Sequence, residues 1–73
     1  MSSFPERLKC LRTDKNVTQK QLAEIFNVTE RGYQNYEIGK STPNFHVLLA
    51  LADYFNVSLD YLVGRSDDPT IHK

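Results

Sequence analysis

With 73 residues, 40% of them hydrophobic, the chain has room for one small domain and a single core. Nine Lys and Arg offset nine Asp and Glu, which argues against a strongly basic nucleic-acid binder. The lone Cys10 excludes an internal disulfide framework, and the lack of a long apolar run or a signal-peptide pattern leads us to expect a soluble cytoplasmic protein with no membrane partner.

Ser3-Phe4-Pro5-Glu6 opens a first helix. Ser3 is a capping residue, Pro5 suits the first turn, and Glu6 stands where a capping box places its acid. Phe4, Leu8 and Leu11 share one face, while Arg7, Lys9 and Arg12 fall largely elsewhere. The helix is predicted to fade at Asp14 to Asn16, where Asp and Asn favour turns. Thr18 with Gln21 makes a second capping box, followed by the inward stripe Leu22, Ala23 and Phe26. Asn27 is placed to end that helix in the left-handed conformation, for which Asn is the next-best residue after Gly. Val28 fills the corner and Thr29 caps a third helix. At 100° per residue, Tyr33 and Tyr36 mark the buried side of this helix, and Arg31, Gln34 and Asn35 point the other way. Gly39 stops it.

Thr42-Pro43 reads as cap and first-turn proline of a fourth helix. Phe45, Leu48, Leu51, Ala52 and Phe55 give it the longest apolar stripe of the chain. Phe55-Asn56-Val57-Ser58 then repeats the chemistry of Phe26-Asn27-Val28-Thr29, and a short fifth helix with Leu59 and Leu62 inward ends at Gly64. No segment alternates like a strand. The expected fold is all-α, a compact five-helix bundle over residues 4–64, followed by a polar tail, 65–73, that frays.

The two corners differ in the residues beyond them. After Thr29 come Glu30, Arg31, Gln34 and Asn35, which can hydrogen-bond base edges in a major groove; after Ser58 come Leu59, Tyr61, Leu62 and Val63. The zero net charge also hides a gradient. Residues 1–40 carry seven basic and five acidic side chains, a net of +2, and residues 41–73 carry two and four, a net of −2. A polyanion would meet the first half.

The run TQKQLAEIFNVTERGYQNYEIGK, followed by TPNFHVLLALADYFNVSLDYLVG, resembles the lambda-repressor-like, Cro-type (Xre family) helix-turn-helix domains over about residues 4–64. The resemblance is carried by Thr18-Gln19, Leu22-Ala23, Val28-Thr29, Tyr36-Glu37, Gly39-Lys40, Pro43, Leu51-Ala52 and the run Val57 to Leu62. It implies a lambda-repressor-like bundle whose second and third helices form the DNA-contacting unit. It implies further that Gln19 contacts a phosphate or a base, that Thr29, Glu30, Arg31, Gln34 and Asn35 face the groove, and that Lys40 touches the far backbone. Arg12 and Glu37 occupy the positions of a structural ion pair. Two residues depart from the family pattern: Gly32, inside the third helix, and Glu30, a carboxylate facing phosphates. Glu30 either accepts from cytosine N4 or complements the helix N-terminus.

A single short helix with little net charge binds weakly by itself, so a homodimer on a double-stranded operator of two-fold symmetry is expected. Half-sites would lie about 34–36 Å apart. Leu49, Tyr61 and Val63 are apolar beyond what the core stripes require and are the expected dimer contact. The leading reading is a small phage or mobile-element-type repressor. Its rivals are an antitoxin or restriction-controller protein of the same fold, and a protein-interaction module that has lost DNA binding; a regulatory protein partner stays open. Tyr33 and Tyr36 could stack on single-stranded bases, but core packing accounts for them. Cys10, His46 and His72 match neither a zinc pattern nor a nucleophile motif, so no metal, cofactor or catalysis is expected.

Overall fold

The computed structural model of the chain describes residues 3–71. Five helices follow one another: α1 (Phe4–Asp14), α2 (Gln19–Ile25), α3 (Glu30–Glu37), α4 (Phe45–Phe55) and α5 (Leu59–Leu62). There is no strand among the described residues. α2 packs on α3 and α4 on α5, while α1 touches both α3 and α5 and joins the two pairs.

Three of the four connections are built to one plan. Asn16, Asn27 and Asn56 sit in the left-handed region at φ 59°, 56° and 56°. Each is followed by a valine whose N–H turns back to a carbonyl of the helix just ended: Val17 to Arg12 at 3.3 Å, Val28 to Ala23 at 2.9 Å and Val57 to Ala52 at 3.0 Å. This backward bond satisfies a carbonyl that the helix end would otherwise orphan. The next residue is in each case a hydroxyl cap. Thr18 accepts from Gln21 in a full capping box, Thr29 from Gly32, and Ser58 from Tyr61. The corner seen twice in the sequence therefore occurs three times.

The core draws on every helix: Leu8, Leu22, Ala23, Tyr33, Leu51, Ala52 and Leu62, with Val57 at a corner. Each fully buried large apolar side chain contributes about 1.5–3 kcal/mol, and Phe26, Leu48, Phe55 and Leu59 pack around them half-buried.

Several local expectations are corrected. Ser3 makes no capping bond; its hydroxyl donates instead to the Glu6 carboxylate at 2.9 Å. The cap of α4 is Asn44, whose side chain accepts from the Val47 N–H at 2.9 Å, and not Thr42, so Pro43 lies outside the helix and is buried. Phe45, the first residue of α4, does not join the core stripe and is 61% exposed.

Arg7 does not join the polar face of α1 but is buried. Its guanidinium lies 3.8 Å from the centre of the Tyr61 ring and pairs with Asp67 at 3.1 Å. The segment after Gly64 does not fray as far as it is described. The Ser58 N–H donates to the Pro69 carbonyl at 3.0 Å and its hydroxyl to the Asp68 carbonyl at 3.4 Å, so residues 65–69 strap across the start of α5.

Candidate nucleic-acid interface

α3 is eight residues long and is pinned at both ends. At its start the Thr29 hydroxyl accepts from the Gly32 N–H at 3.0 Å. At its end Gly39 adopts φ 78°, which lets the Lys40 N–H return to the Asn35 carbonyl at 2.9 Å. Gly32 thus belongs to the first turn of α3 and not to its middle. A Cβ there would stand 3.0 Å from the Thr29 capping oxygen, so a larger residue crowds the cap.

The inner side of α3 is fixed by packing. Tyr33 is 1% exposed, and Tyr36 sits half-buried with its ring edge-on to Tyr33 at 6.1 Å. The Tyr33 ring has no exposed face on which a base could stack. On the outer side Glu30 and Arg31 are exposed, and Gln34 and Asn35 are half-buried. Among the described residues none of these four side chains has a hydrogen-bond or ion-pair partner within the chain. Lys40 follows, exposed, in the loop beyond. Thr29 is exposed too, but its oxygen is committed to the cap.

Beneath this face lies a buried polar cluster that ties three helices together. Arg12 of α1 grips Glu37 of α3 with two bonds, Nε to Oε2 at 2.6 Å and Nη2 to Oε1 at 3.2 Å. A third Arg12 N–H reaches the Val17 carbonyl at 3.1 Å. The Tyr33 hydroxyl donates to Glu37 Oε2 at 2.6 Å, and the Gln19 amide of α2 donates to Oε1 at 3.0 Å. The Glu37 side chain is only 3% exposed. Burial pushes its carboxyl up, yet the bonds from Arg12, Tyr33 and Gln19 outweigh that and hold it below its ordinary value. The Glu37 bond raises Arg12 in turn. Burial first, and then the bond to Glu37, push the Tyr33 phenol far above the usual tyrosine range.

Gln19 also lines a shallow groove with Lys9, Thr18, Lys20 and Glu30, where the end of α1 meets the starts of α2 and α3. Glu30 belongs both to this groove and to the outer side of α3, so the groove and that face adjoin. Leu49, Tyr61 and Val63 belong to the other half, α4 and the end of α5. Leu49 is 39% exposed, Val63 is half-buried, and Tyr61, also half-buried, carries the Arg7 guanidinium on its ring. Cys10 and His46 are exposed on α1 and α4. His72 lies outside the described residues.

Two members of the cluster were not legible in the sequence, where Tyr33 reads as a packing ring and Gln19 as an outward contact. The i, i+4 spacing of Tyr33 and Glu37 was the available signal, whereas the reach of Gln19 to Glu37 across two helices had none.

A family model described as "Helix-turn-helix" matches residues 8–62. The chain is 42% identical over 60 residues to a Bacillus subtilis (strain 168) protein named "SPbeta prophage-derived uncharacterized HTH-type transcriptional regulator YonR". The match covers 82% of the chain and 56% of that protein. It is 37% identical over 60 residues to the "Cryptic phage CTXphi transcriptional repressor RstR" of Vibrio cholerae, covering 82% of the chain and 52% of the relative. The chain thus spans about half the length of these relatives. Among solved structures, the P22 c2 repressor in complex with a synthetic operator superposes with a TM-score of 0.81 at 26% identity, over 90% of this chain and all of the other. A transcriptional regulator from Listeria innocua superposes with a TM-score of 0.82 at 32% identity, over 97% of this chain and 62% of that one.

Proposed function

The chain belongs to the Cro-type helix-turn-helix family, and from that premise we propose that it is a sequence-specific, double-stranded-DNA-binding transcriptional regulator. The observation that carries this reading is the outward row of Arg31, Gln34 and Asn35. These are hydrogen-bonding side chains with no partner within the chain among the described residues, on a helix fixed at both ends. Arg31 suits the two acceptors of guanine, and Gln34 or Asn35 the acceptor and donor of adenine. Gln19, Lys9 and Lys20 border the same side and meet the phosphates; Lys40 meets the backbone beyond the groove.

The regulator is of the small phage-repressor type, which agrees with the names of the prophage and cryptic-phage relatives. It acts as a homodimer on a two-fold operator with half-sites about 34–36 Å apart. Residues 4–64 are the DNA-binding unit, and the exposed Leu49, with Tyr61 and Val63, contributes the contact between copies. The reading places the protein in the cytoplasm with its DNA; no helix among the described residues is long and apolar enough to cross a membrane.

Selection of duplexes from a random pool tests the proposal. The purified chain should enrich one two-fold-related site, and its affinity for that site should fall steeply with salt. An unenriched pool together with salt-independent binding would sink it. Arg31→Ala should abolish the preference for the enriched site and leave the melting temperature within about 4 °C of the parent, since an exposed substitution changes stability by less than about 0.5 kcal/mol.

A further inference from the structure

The Glu37 cluster does more than hold helices together. Each oxygen of the carboxylate takes two hydrogen bonds: Oε2 from Arg12 and from the Tyr33 hydroxyl, Oε1 from Arg12 and from the Gln19 amide. An ionised carboxylate only accepts, so Gln19 must turn its NH2 inward, and the orientation of its amide is fixed by the network. What remains for the outside is its carbonyl oxygen and a second N–H, at the groove that Gln19 shares with Lys9, Thr18, Lys20 and Glu30.

Arg12 grips both oxygens from α1, and the Tyr33 hydroxyl adds a second bond to Oε2 from one turn earlier on the helix that carries Glu37. The carboxylate is thus held from α1 and from its own helix, and loss of the hydroxyl leaves Oε2 with one bond. Tyr33 is itself 1% exposed and touches no ligand.

We propose that Tyr33 is a positioning residue: its hydroxyl fixes the Glu37 carboxylate, and the carboxylate aims the Gln19 amide at the DNA backbone. This rests on the DNA-binding reading above and adds to it a residue that acts from inside the core. The groups facing Glu37 are Arg12 from α1, Gln19 from α2, and Tyr33 on its own helix. Of these only Arg12 and Tyr33 ionise, and both keep their protons through the acid range, so the carboxylate is the one member that changes state there.

A double-mutant cycle decides it. Tyr33→Phe keeps the ring and its packing and removes the hydroxyl. On the enriched duplex and on an unrelated duplex, Tyr33→Phe and Gln19→Ala should each weaken binding by about 3- to 10-fold. The double variant should be no weaker than Gln19→Ala alone, because the hydroxyl acts only through that amide. Independent, multiplying losses would overturn the proposal.

Two nuclear magnetic resonance measurements need no DNA. In the parent chain the two side-chain amide protons of Gln19 should resonate well apart, and in Tyr33→Phe they should draw together; unchanged shifts would refute the link. Acid titration of the parent avoids any variant that fails to fold. There the Gln19 amide and the Tyr33 ring should move with the Glu37 carboxyl carbon at one midpoint, and a Gln19 amide that does not follow counts against the proposal. If the parent binds neither duplex, the regulator reading falls by itself, and the resonance measurements still decide whether Tyr33 orients Gln19.

Discussion

The corners Phe26-Asn27-Val28-Thr29 and Phe55-Asn56-Val57-Ser58 are made of the same parts. Both asparagines sit at φ 56°. The backward valine bonds measure 2.9 and 3.0 Å, and the two caps accept at 3.0 Å. Leu22-Ala23 before the first and Leu51-Ala52 before the second are all buried. The surroundings differ. Behind the helix that follows the first corner lies the Glu37 cluster, and that helix carries outward polar side chains with no partner among the described residues. Over the second runs the strap, with Pro69 taking the Ser58 N–H, and the helix beyond it is apolar. The corner is therefore a joint without a function of its own. One joint presents its second helix outward; the other buries and ties down what it carries.

Removing the feature that only the first joint has should produce the largest effect. Glu37→Ala leaves Arg12, whose side chain is 14% exposed, without its partner. Breaking a buried pair costs about 3–5 kcal/mol, measurable by chemical denaturation. A loss under about 1 kcal/mol would show that the cluster is ornamental. The same carboxylate has a pH signature. Its folded value lies below the ordinary one, so its contribution is fully present above the ordinary carboxylate pKa of about 4.3 and is lost as pH falls through the folded value. The parent should therefore lose stability in acid more steeply than Glu37→Gln does.

The shared parts should respond alike. Asn27→Ala and Asn56→Ala each place an alanine in the left-handed region and should each cost about 1 kcal/mol. A large inequality between them would mean that the two joints are not equivalent. The smallest effect is expected at the strap. Asp67 is 72% exposed, so after solvent screening its pair with Arg7 contributes no more than about 1 kcal/mol. Asp67→Asn should still speed hydrogen exchange of the Ser58 amide while the Thr29 amide keeps its parental rate. An unchanged Ser58 rate would show that the strap is held without the Arg7 pair.

How much was legible in the residues alone depends on the range of each interaction. Thr18 with Gln21, Thr29, Asn27 and Gly39 act within four residues, and local chemistry was enough to place them. At the start of α4 two local signals competed. Thr42-Pro43 looked like cap and first turn, but Asn44 stands three residues before the N–H of Val47 that it receives, and that geometry prevailed. Arg7 could not be read, because Asp67 lies sixty residues away and charge on a helix surface ordinarily means solvent. On the candidate interface, the wheel separated Arg31 from Tyr33 correctly, since their difference is one of direction. It was blind to the Tyr33 hydroxyl, for a wheel sorts whole side chains and this one is apolar in its ring and polar at its tip.

That tip has a spectroscopic consequence. The chain has four tyrosines and no tryptophan, so its near-ultraviolet absorbance is dominated by phenols. Burial and the Glu37 bond hold the Tyr33 phenol un-ionised well into alkali, where an exposed tyrosine has already become phenolate. The Tyr33 chromophore therefore withholds its colour change until the bundle opens. Absorbance during an alkaline titration thereby gives the chain an intrinsic, label-free indicator of whether the core beneath α3 is still closed.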